Sequence, residues 1–250
     1  MVTLSPKNRR IISLFRSNVR GKSQPTKGNQ HDGFVGNWLE EQFGVPKNNR
    51  NEPDIDGYEL KKDSNPISFG DWSADYYIFK GTKAQCTRLE FLMNFGRYDE
   101  EKDHYSWSGE YVPKYGEWNK AGQRLHIDNQ GNIFAIYNWR QDHRANKEQV
   151  VQSQFRNGTL VLACWKADSL RTKVERKFNV NGWFTCLTDE SGTYYELCFG
   201  EAFSFEDFLD FVRSKKAIFD SGMYSTNNRP YSSWRAKREF WHNRIVERVK

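Results

Sequence analysis

The sequence predicts a mixed α/β or α+β fold, with a central mixed sheet flanked by helices. Apolar residues make up 37% and aromatic residues 16% of the 250 residues, which is typical of a folded chain with one large core. Segments that alternate apolar and polar residues are interspersed with segments of helical periodicity. Because they follow no regular strand–helix–strand repeat, we expect a mixed sheet in a single domain over residues 1–250.

Four segments have the apolar spacing of a helix. Asp32 is a suitable N-cap and Gly44 a suitable stop for one of them. Ser204 and Asp207 give a capping-box pattern at the start of another, with Asp in the place of Glu or Gln. The predicted helices cover residues 7–19, 32–44, 86–95 and 204–216.

Strands are predicted where apolar residues alternate or run together over four to eight positions. The first one follows the turn-forming pair Asp56-Gly57 and covers residues 58–61. The segment 234–241 fits a strand or a helix equally well. The other predicted strands cover residues 76–79, 133–139, 159–165, 183–187, 194–199 and 217–224.

Positive charge is concentrated at both ends of the chain. The net charge is +6, with seven Lys or Arg and no acid in residues 1–30, and ten basic against three acidic residues in 213–250. Clustered positive charge favours a polyanion as partner, because phosphate contacts release condensed counterions. On composition alone, a protein that merely happens to be basic is an equal alternative.

The cysteines and the apolar segments indicate the compartment. Cys86, Cys164, Cys186 and Cys198 form no pair at zinc spacing, and we expect the last three to be small core residues. The basic N-terminus lacks the apolar segment of a signal peptide, and no apolar run approaches the length needed to cross a bilayer. We therefore expect a cytoplasmic protein without membrane contact.

Two acids and a lysine are predicted to converge near the first strand. On a strand, Glu59 and Lys61 point to the same face and Leu60 to the opposite one. Asp54 precedes the Asp56-Gly57 turn, which can fold it back beside Glu59. The bland alternative is a solvated strand face, which short motifs of charged residues often turn out to be.

This arrangement suits the metal-assisted hydrolysis of a phosphodiester. Mg²⁺ prefers carboxylate oxygens and keeps several waters, and we therefore predict Asp54 and Glu59 as its ligands. Lys61 would orient or deprotonate the attacking water. Glu40, at the edge of the apolar stripe of the helix over 32–44, could reach the same metal, or be an ordinary boundary residue.

The chain resembles the MvaI/BcnI restriction endonucleases, which belong to the MutH-related branch of the PD-(D/E)XK nuclease superfamily. The similarity is carried by the stretch from Asp32 to Val45, by Asn48-Asn49, and by Asp54 followed by Glu59-Leu60-Lys61. It is strongest over about residues 30–62 and weaker further on. One departure is Gly70, which stands where those enzymes have a His shortly after the catalytic strand, so that either the gap in the match lies elsewhere or base recognition at the centre of the site differs.

The resemblance implies a PD-(D/E)XK core with a DNA-binding cleft and a Mg²⁺-dependent type II restriction endonuclease. It implies that Asp54, Glu59 and Lys61 are catalytic and that Glu40 matches a helix glutamate of the MutH branch. The expected substrate is double-stranded DNA with a short CC-N-GG-type site, cut by a prokaryotic monomer that has a cognate DNA methyltransferase. The alternative to one undivided domain is two lobes, a catalytic core over about 30–100 and a recognition lobe that includes about 200–245.

A basic, aromatic segment near the C-terminus is the best candidate for reading DNA. Arginine pairs well with guanine in the major groove, which makes Arg229 and Arg235 the predicted base contacts. Lys237 and Arg238 are predicted to contact phosphates. A solvated basic loop is the simpler interpretation of the same residues.

Two other functions are compatible with the sequence. A MutH-like repair endonuclease would use the same chemistry to nick one strand. A sequence-specific DNA-binding protein without catalysis would carry the same basic segments, with the acids as surface charges.

Overall fold

The computed structural model describes residues 8–25, 34–46 and 51–250 of the chain. The first helix, α1, continues directly into a π-helical turn, Phe15–Val19. The helices are α1 Arg9–Leu14, α2 Phe34–Gln42, α3 Arg88–Phe95, α4 Lys147–Val150, α5 Ala167–Phe178, α6 Phe205–Arg213 and α7 Arg238–His242. Within the described ranges, no helix is long and apolar enough to span a membrane.

Fourteen strands lie within the described residues, and several have only two or three residues. The first seven are β1 Glu59–Lys62, β2 Ile67–Asp71, β3 Tyr76–Tyr77, β4 Arg97–Asp99, β5 His104–Trp107, β6 Ala121–Ile127 and β7 Ile133–Asp142. The remaining ones are β8 Thr159–Trp165, β9 Trp183–Thr188, β10 Tyr194–Gly200, β11 Ile218–Asp220, β12 Met223–Tyr224, β13 Ser233–Ala236 and β14 Ile245–Val249.

The chain folds into two compact units that alternate along the sequence. The first unit consists of residues 1–67, 172–207 and 236–250, and the second of residues 68–171 and 208–235.

The first unit contains a mixed four-stranded sheet in the order β1-β9-β10-β14. Strand β1 runs parallel to β9, whereas β10 pairs antiparallel with both β9 and β14. A buried cluster covers one face of this sheet and includes Phe15, Leu39, Phe43, Leu60 and Phe199. Helices α1 and α2 therefore pack on the face of β1 to which Leu60 points.

The second unit is built on a four-stranded sheet in the order β3-β8-β7-β6 and on the small sheet β12-β5-β4. A third sheet, β11-β13-β2, lies there except for its end residues Ile67 and Ala236. The unit also encloses an ion pair between Arg144 and Asp142, whose closest N–O distance is 2.6 Å. Asp142 is fully buried and Arg144 is 5% exposed, so this pair is shielded from solvent.

Most predicted elements are confirmed with shifted ends. Strand β8 has the predicted bounds, and the Ser204–Asp207 capping pair is present, with the Asp207 amide donating to Ser204 Oγ at 3.2 Å. The part of the predicted helix 32–44 that is described agrees with α2, while Asp32, like Asn48-Asn49, lies outside the described residues.

Two predictions of elements need correction. The predicted strand 217–224 is wrong as one strand, because Gly222 at φ +58° separates β11 and β12, which join different sheets. The ambiguous segment 234–241 is in fact a strand, β13, followed by a helix, α7.

Candidate active site

A tight turn brings Asp54 back to the start of β1. Asp56 and Gly57 occupy its centre with φ of 49° and 81°, a left-handed conformation that Gly adopts freely and Asp tolerates. The Tyr58 amide donates to the Ile55 carbonyl at 2.8 Å and so closes the turn. The Leu60 amide then donates to Asp54 Oδ2 at 2.8 Å, which fixes the carboxylate beside the strand.

Strand β1 separates the charged residues from the apolar ones. Leu60 belongs to the buried cluster beneath the sheet, and Glu59 and Lys61 therefore project from the opposite face. In the register with β9, Glu59 lies beside Trp183 and Lys61 beside Thr185. Glu59 and Lys61 are only 3% and 8% exposed, so both ionisable groups are largely removed from water.

Glu59 is the centre of a buried network of charges. Its Oε1 accepts hydrogen bonds from Lys61 Nζ and forms an ion pair with Lys177 Nζ, each at 2.9 Å. Its Oε2 is buried and meets no hydrogen-bond donor among the described residues. Buried carboxylate oxygens are normally paired, so an unpaired one indicates a place for a further positive group.

Burial and like charge shape the electrostatics of the site. Burial, and secondarily the charge of Glu59, raises the pKa of Asp54 to about 7, despite the hydrogen bond from the Leu60 amide and the nearby lysines. Burial lowers the pKa of Lys61, against the opposing effect of Glu59. Both pKa shifts reflect the free-energy cost of keeping Asp54 and Lys61 charged in a site that is poor in water.

The residues present fit a hard divalent cation. Among the described residues, no group of three or more His, Cys, Asp and Glu side chains forms a complete protein metal cage. Mg²⁺ does not require one, since it keeps several waters and binds through one or two carboxylates plus substrate phosphate. Asp54, raised in pKa, and Glu59, with its unpaired Oε2, supply such a donor pair.

Glu40 lies on α2, next to Leu39 of the buried cluster, and is half-buried. Its main-chain carbonyl accepts a hydrogen bond from the Val45 amide at 2.8 Å, which helps to close the end of the helix. A role of its carboxylate at the metal stays a prediction.

The predicted base-reading arginines both belong to the second unit and are held by acids. Arg229 pairs with Asp71 at 2.6 Å and stacks on the ring of Tyr231 at 4.3 Å from its centroid. Arg235, on β13, pairs with Asp220 at 3.0 Å. Both guanidinium groups are thus oriented before any ligand binds.

The predicted phosphate contacts belong to the first unit. Lys237 precedes α7 and is exposed. Arg238 Nε lies 3.1 Å from Asp63 Oδ1, which also accepts a hydrogen bond from His242 Nε2 at 2.9 Å. The charge of Arg238 is therefore partly neutralised by Asp63, whereas the ammonium group of Lys237 is exposed to solvent.

The residue that sequence reasoning missed is Lys177, in the last turn of α5. The helix itself has a readable signal, because Leu170, Val174 and Phe178 repeat at four-residue spacing and are fully buried. That periodicity would predict the helix. The contact of Lys177 with Glu59 joins residues 118 positions apart and has no local signal.

Comparisons with known proteins show the family to which the chain belongs. The family model described as LlaMI restriction endonuclease matches residues 19–249. The chain is 39% identical to the type II restriction enzyme ScrFI of Lactococcus lactis subsp. cremoris, over 98% of this chain and 99% of that protein. It also matches the structure of restriction endonuclease MvaI in complex with its cognate DNA substrate, at a TM-score of 0.61 and 13% identity, over 99% of both chains. The last match concerns the fold alone.

Proposed function

This chain belongs to the LlaMI restriction endonuclease family and is a type II restriction endonuclease, and from that premise we propose that Asp54, Glu59 and Lys61 form its catalytic centre. The observation that carries the proposal is the unpaired, buried Oε2 of Glu59 next to a second carboxylate. We further propose a PD-(D/E)XK type of core, in which the turn before β1 and the strand itself supply these three residues.

Asp54 and Glu59 would hold Mg²⁺, and Glu40 would assist from α2. When bound, this ion neutralises charge at the scissile phosphate and makes a coordinated water more acidic. The two carboxylates are suited to it because hard oxygen donors match the preference of Mg²⁺. Asp54 keeps its orientation through the Leu60 amide, and Glu59 keeps its own through two lysines.

Lys61 would act on the attacking water. Its side chain is buried, and burial lowers its pKa, so that its ammonium releases a proton more readily than that of an exposed lysine. The water oxygen would form a bond to phosphorus, the bond from phosphorus to the leaving sugar oxygen would break, and the departing oxygen would take up a proton from a second water molecule. Lys61 would orient the water and, in its neutral state, receive the proton of the water.

The substrate would be double-stranded DNA with a short CC-N-GG-type site. Arg229 and Arg235 are proposed to read bases, and Lys237 and Arg238 to contact phosphates. In support, the acid-paired arginines are already oriented, and the fold is that of an enzyme whose structure was determined with its cognate DNA. We expect a monomeric enzyme of a prokaryotic cytoplasm whose gene lies beside that of a cognate DNA methyltransferase.

Incubation of supercoiled plasmid with the protein tests the proposal. We expect discrete fragments with Mg²⁺ and intact plasmid with a chelator. Lys61→Ala should keep DNA binding, followed by gel shift, and lose cleavage by a factor on the order of 10³ or more. Nicked circles alone would instead support a MutH-like nicking enzyme, and inert plasmid with a gel shift would support a DNA-binding protein without catalysis.

The ends of the fragments identify the target. Sequencing them gives both the recognised site and the cut position, and fragments without a common CC-N-GG-type site would contradict the proposed specificity. Cleavage by Lys61→Ala at a near wild-type rate would show that Lys61 has been assigned wrongly.

A further inference from the structure

A second lysine reaches the Glu59 carboxylate from a different element. Lys177 Nζ lies 2.9 Å from Glu59 Oε1, the same oxygen that accepts from Lys61 Nζ at 2.9 Å. The side chain of Lys177 is 18% exposed, so this contact is largely shielded from water. The sequence motif on the turn and β1 contains no counterpart of this residue.

The end of α5 is anchored so that Lys177 is presented to Glu59. Phe178, the next residue, is fully buried, and its ring centroid lies 5.1 Å from Lys61 Nζ. Glu175 lies two residues before Lys177, and its Oε1 accepts a hydrogen bond from the Phe205 amide at 2.8 Å. The Lys173 carbonyl accepts another from Asn51 Nδ2, also at 2.8 Å. The last turn of the helix therefore has little freedom to move away from β1.

Lys177 balances the charges of the site. Asp54 and Glu59 contribute two negative charges when ionised, and Lys61 and Lys177 two positive ones. If Lys61 is to contact a water or a phosphate, it has to give up or share its bond to Glu59. Without Lys177, that step would leave Glu59 Oε1 buried and unpaired, which is costly in a site of low polarity.

We propose that Lys177 is a positioning residue, which holds Glu59 Oε1 in place and thereby frees Lys61 for the reacting water. The inference rests on the proposed function of Asp54, Glu59 and Lys61. Lys177 also adds positive charge to a site that binds a cation, so its removal should affect cleavage and metal binding in opposite directions. Its loss should slow the chemical step and at the same time strengthen the binding of the metal ion.

The test compares Lys177→Met, Lys177→Arg and the control Arg176→Met. Arg176 is exposed on the same turn of α5, so its replacement changes the net charge equally without touching Glu59. Single-turnover cleavage at saturating Mg²⁺ reports on the chemical step. Binding of Mn²⁺ to the protein without DNA, followed through the EPR signal of the free ion, reports on the site independently of activity.

We expect Lys177→Met to cleave on the order of tenfold or more slowly and to bind Mn²⁺ about threefold or more tightly, with DNA binding unchanged. Lys177→Arg and Arg176→Met should stay within about twofold of wild type in both measurements. A merely structural role would instead weaken metal binding together with activity.

Three outcomes would overturn the inference. They are wild-type behaviour of Lys177→Met, weaker Mn²⁺ binding together with slower cleavage, and equal defects in the Met and Arg variants. A failure of the proposed function is distinguishable, because Lys61→Ala, measured in parallel, would then cleave like wild type whatever Lys177 does.

Discussion

The burial and pairing of Glu59 distinguish this short acidic motif from ordinary surface charge. A solvated strand face would leave its carboxylate in water, whereas here the residue is 3% exposed and two lysines converge on one of its oxygens. Burying the Glu59 carboxylate close to the half-buried Asp54 is unfavourable unless cations compensate the negative charge. Such an arrangement is a feature of functional sites, where stability is given up for chemistry.

Alternation along a strand was sufficient to predict that Glu59 and Lys61 share a face. The Asp-Gly pair was sufficient to predict the turn that returns Asp54, because few residues other than Gly adopt its positive φ freely. The same reasoning could not find Lys177, since neither spacing nor composition relates a helix residue to a strand 118 positions earlier. Local chemistry can be read from the sequence, while long-range convergence requires the fold.

Arg235 and Lys237 provide a contrast at the level of single residues. We predict that Arg235→Ala relaxes or abolishes site choice, with about 1–3 kcal/mol lost in discrimination between cognate and altered sites, because the proposed guanine contact is removed. Lys237→Ala should weaken binding to all sequences equally and reduce the slope of log K against log salt by about one. Competition binding and plasmid digestion measure both effects.

Arg213→Ala is the matched control for Arg235. Arg213 is also paired with an acid, Asp210 at 2.8 Å, but on the exposed side of α6, and its removal should leave site choice as it is. An Arg235→Ala enzyme with unchanged fragments and unchanged rates would remove Arg235 from the set of base-reading residues.

At the scale of elements, sequence reasoning succeeded where one pattern dominated a whole segment. Strand β8 and helix α6 have clear periodicity or a clear cap, and both were predicted. Helix α5 was missed although Leu170, Val174 and Phe178 have the right spacing, because nine other positions in it are polar or small. Very short strands such as β3 and β12 are fixed by their partners in the sheet, and their own two residues carry almost no signal.

Strand β9 lies beside β1 and is itself flanked by β10. Trp183 on β9 is the register partner of both Glu59 and Gly200, and a Cβ at position 200 would overlap its indole ring. We predict that Gly200→Ala destabilises the protein by about 1–3 kcal/mol, since Trp183 must shift to accommodate the methyl group. Urea unfolding followed by tryptophan fluorescence measures the change.

Gly36→Ala is the matched control for that substitution. Gly36 lies within α2, where a Cβ would meet nothing within 4 Å, so alanine should stabilise the helix by about 0.5–1 kcal/mol. If Gly200→Ala unfolds at the same urea concentration as wild type, the close approach of Gly200 and Trp183 does not contribute to stability as described.

At the scale of the whole molecule, the two compact units are interleaved along the chain. The chain passes between them after residues 67, 171, 207 and 235. Such a division has no local signal, because it is defined by contacts between segments far apart in sequence. The predicted lobes over about 30–100 and 200–245 and the DNA-binding cleft stay predictions. The net charge of +6 agrees with a polyanionic partner for either arrangement.

The position of a bound divalent ion tests the central claim most directly, namely that Asp54 and Glu59 share one. Crystals of the protein containing Mn²⁺ can be examined for anomalous scattering from the ion. We predict one strong peak within about 2.4 Å of a carboxylate oxygen of each residue, absent in the Glu59→Ala variant. Carboxyl groups of Asp54 and Glu59 that face apart, with the ion bound elsewhere or not at all, would contradict the account.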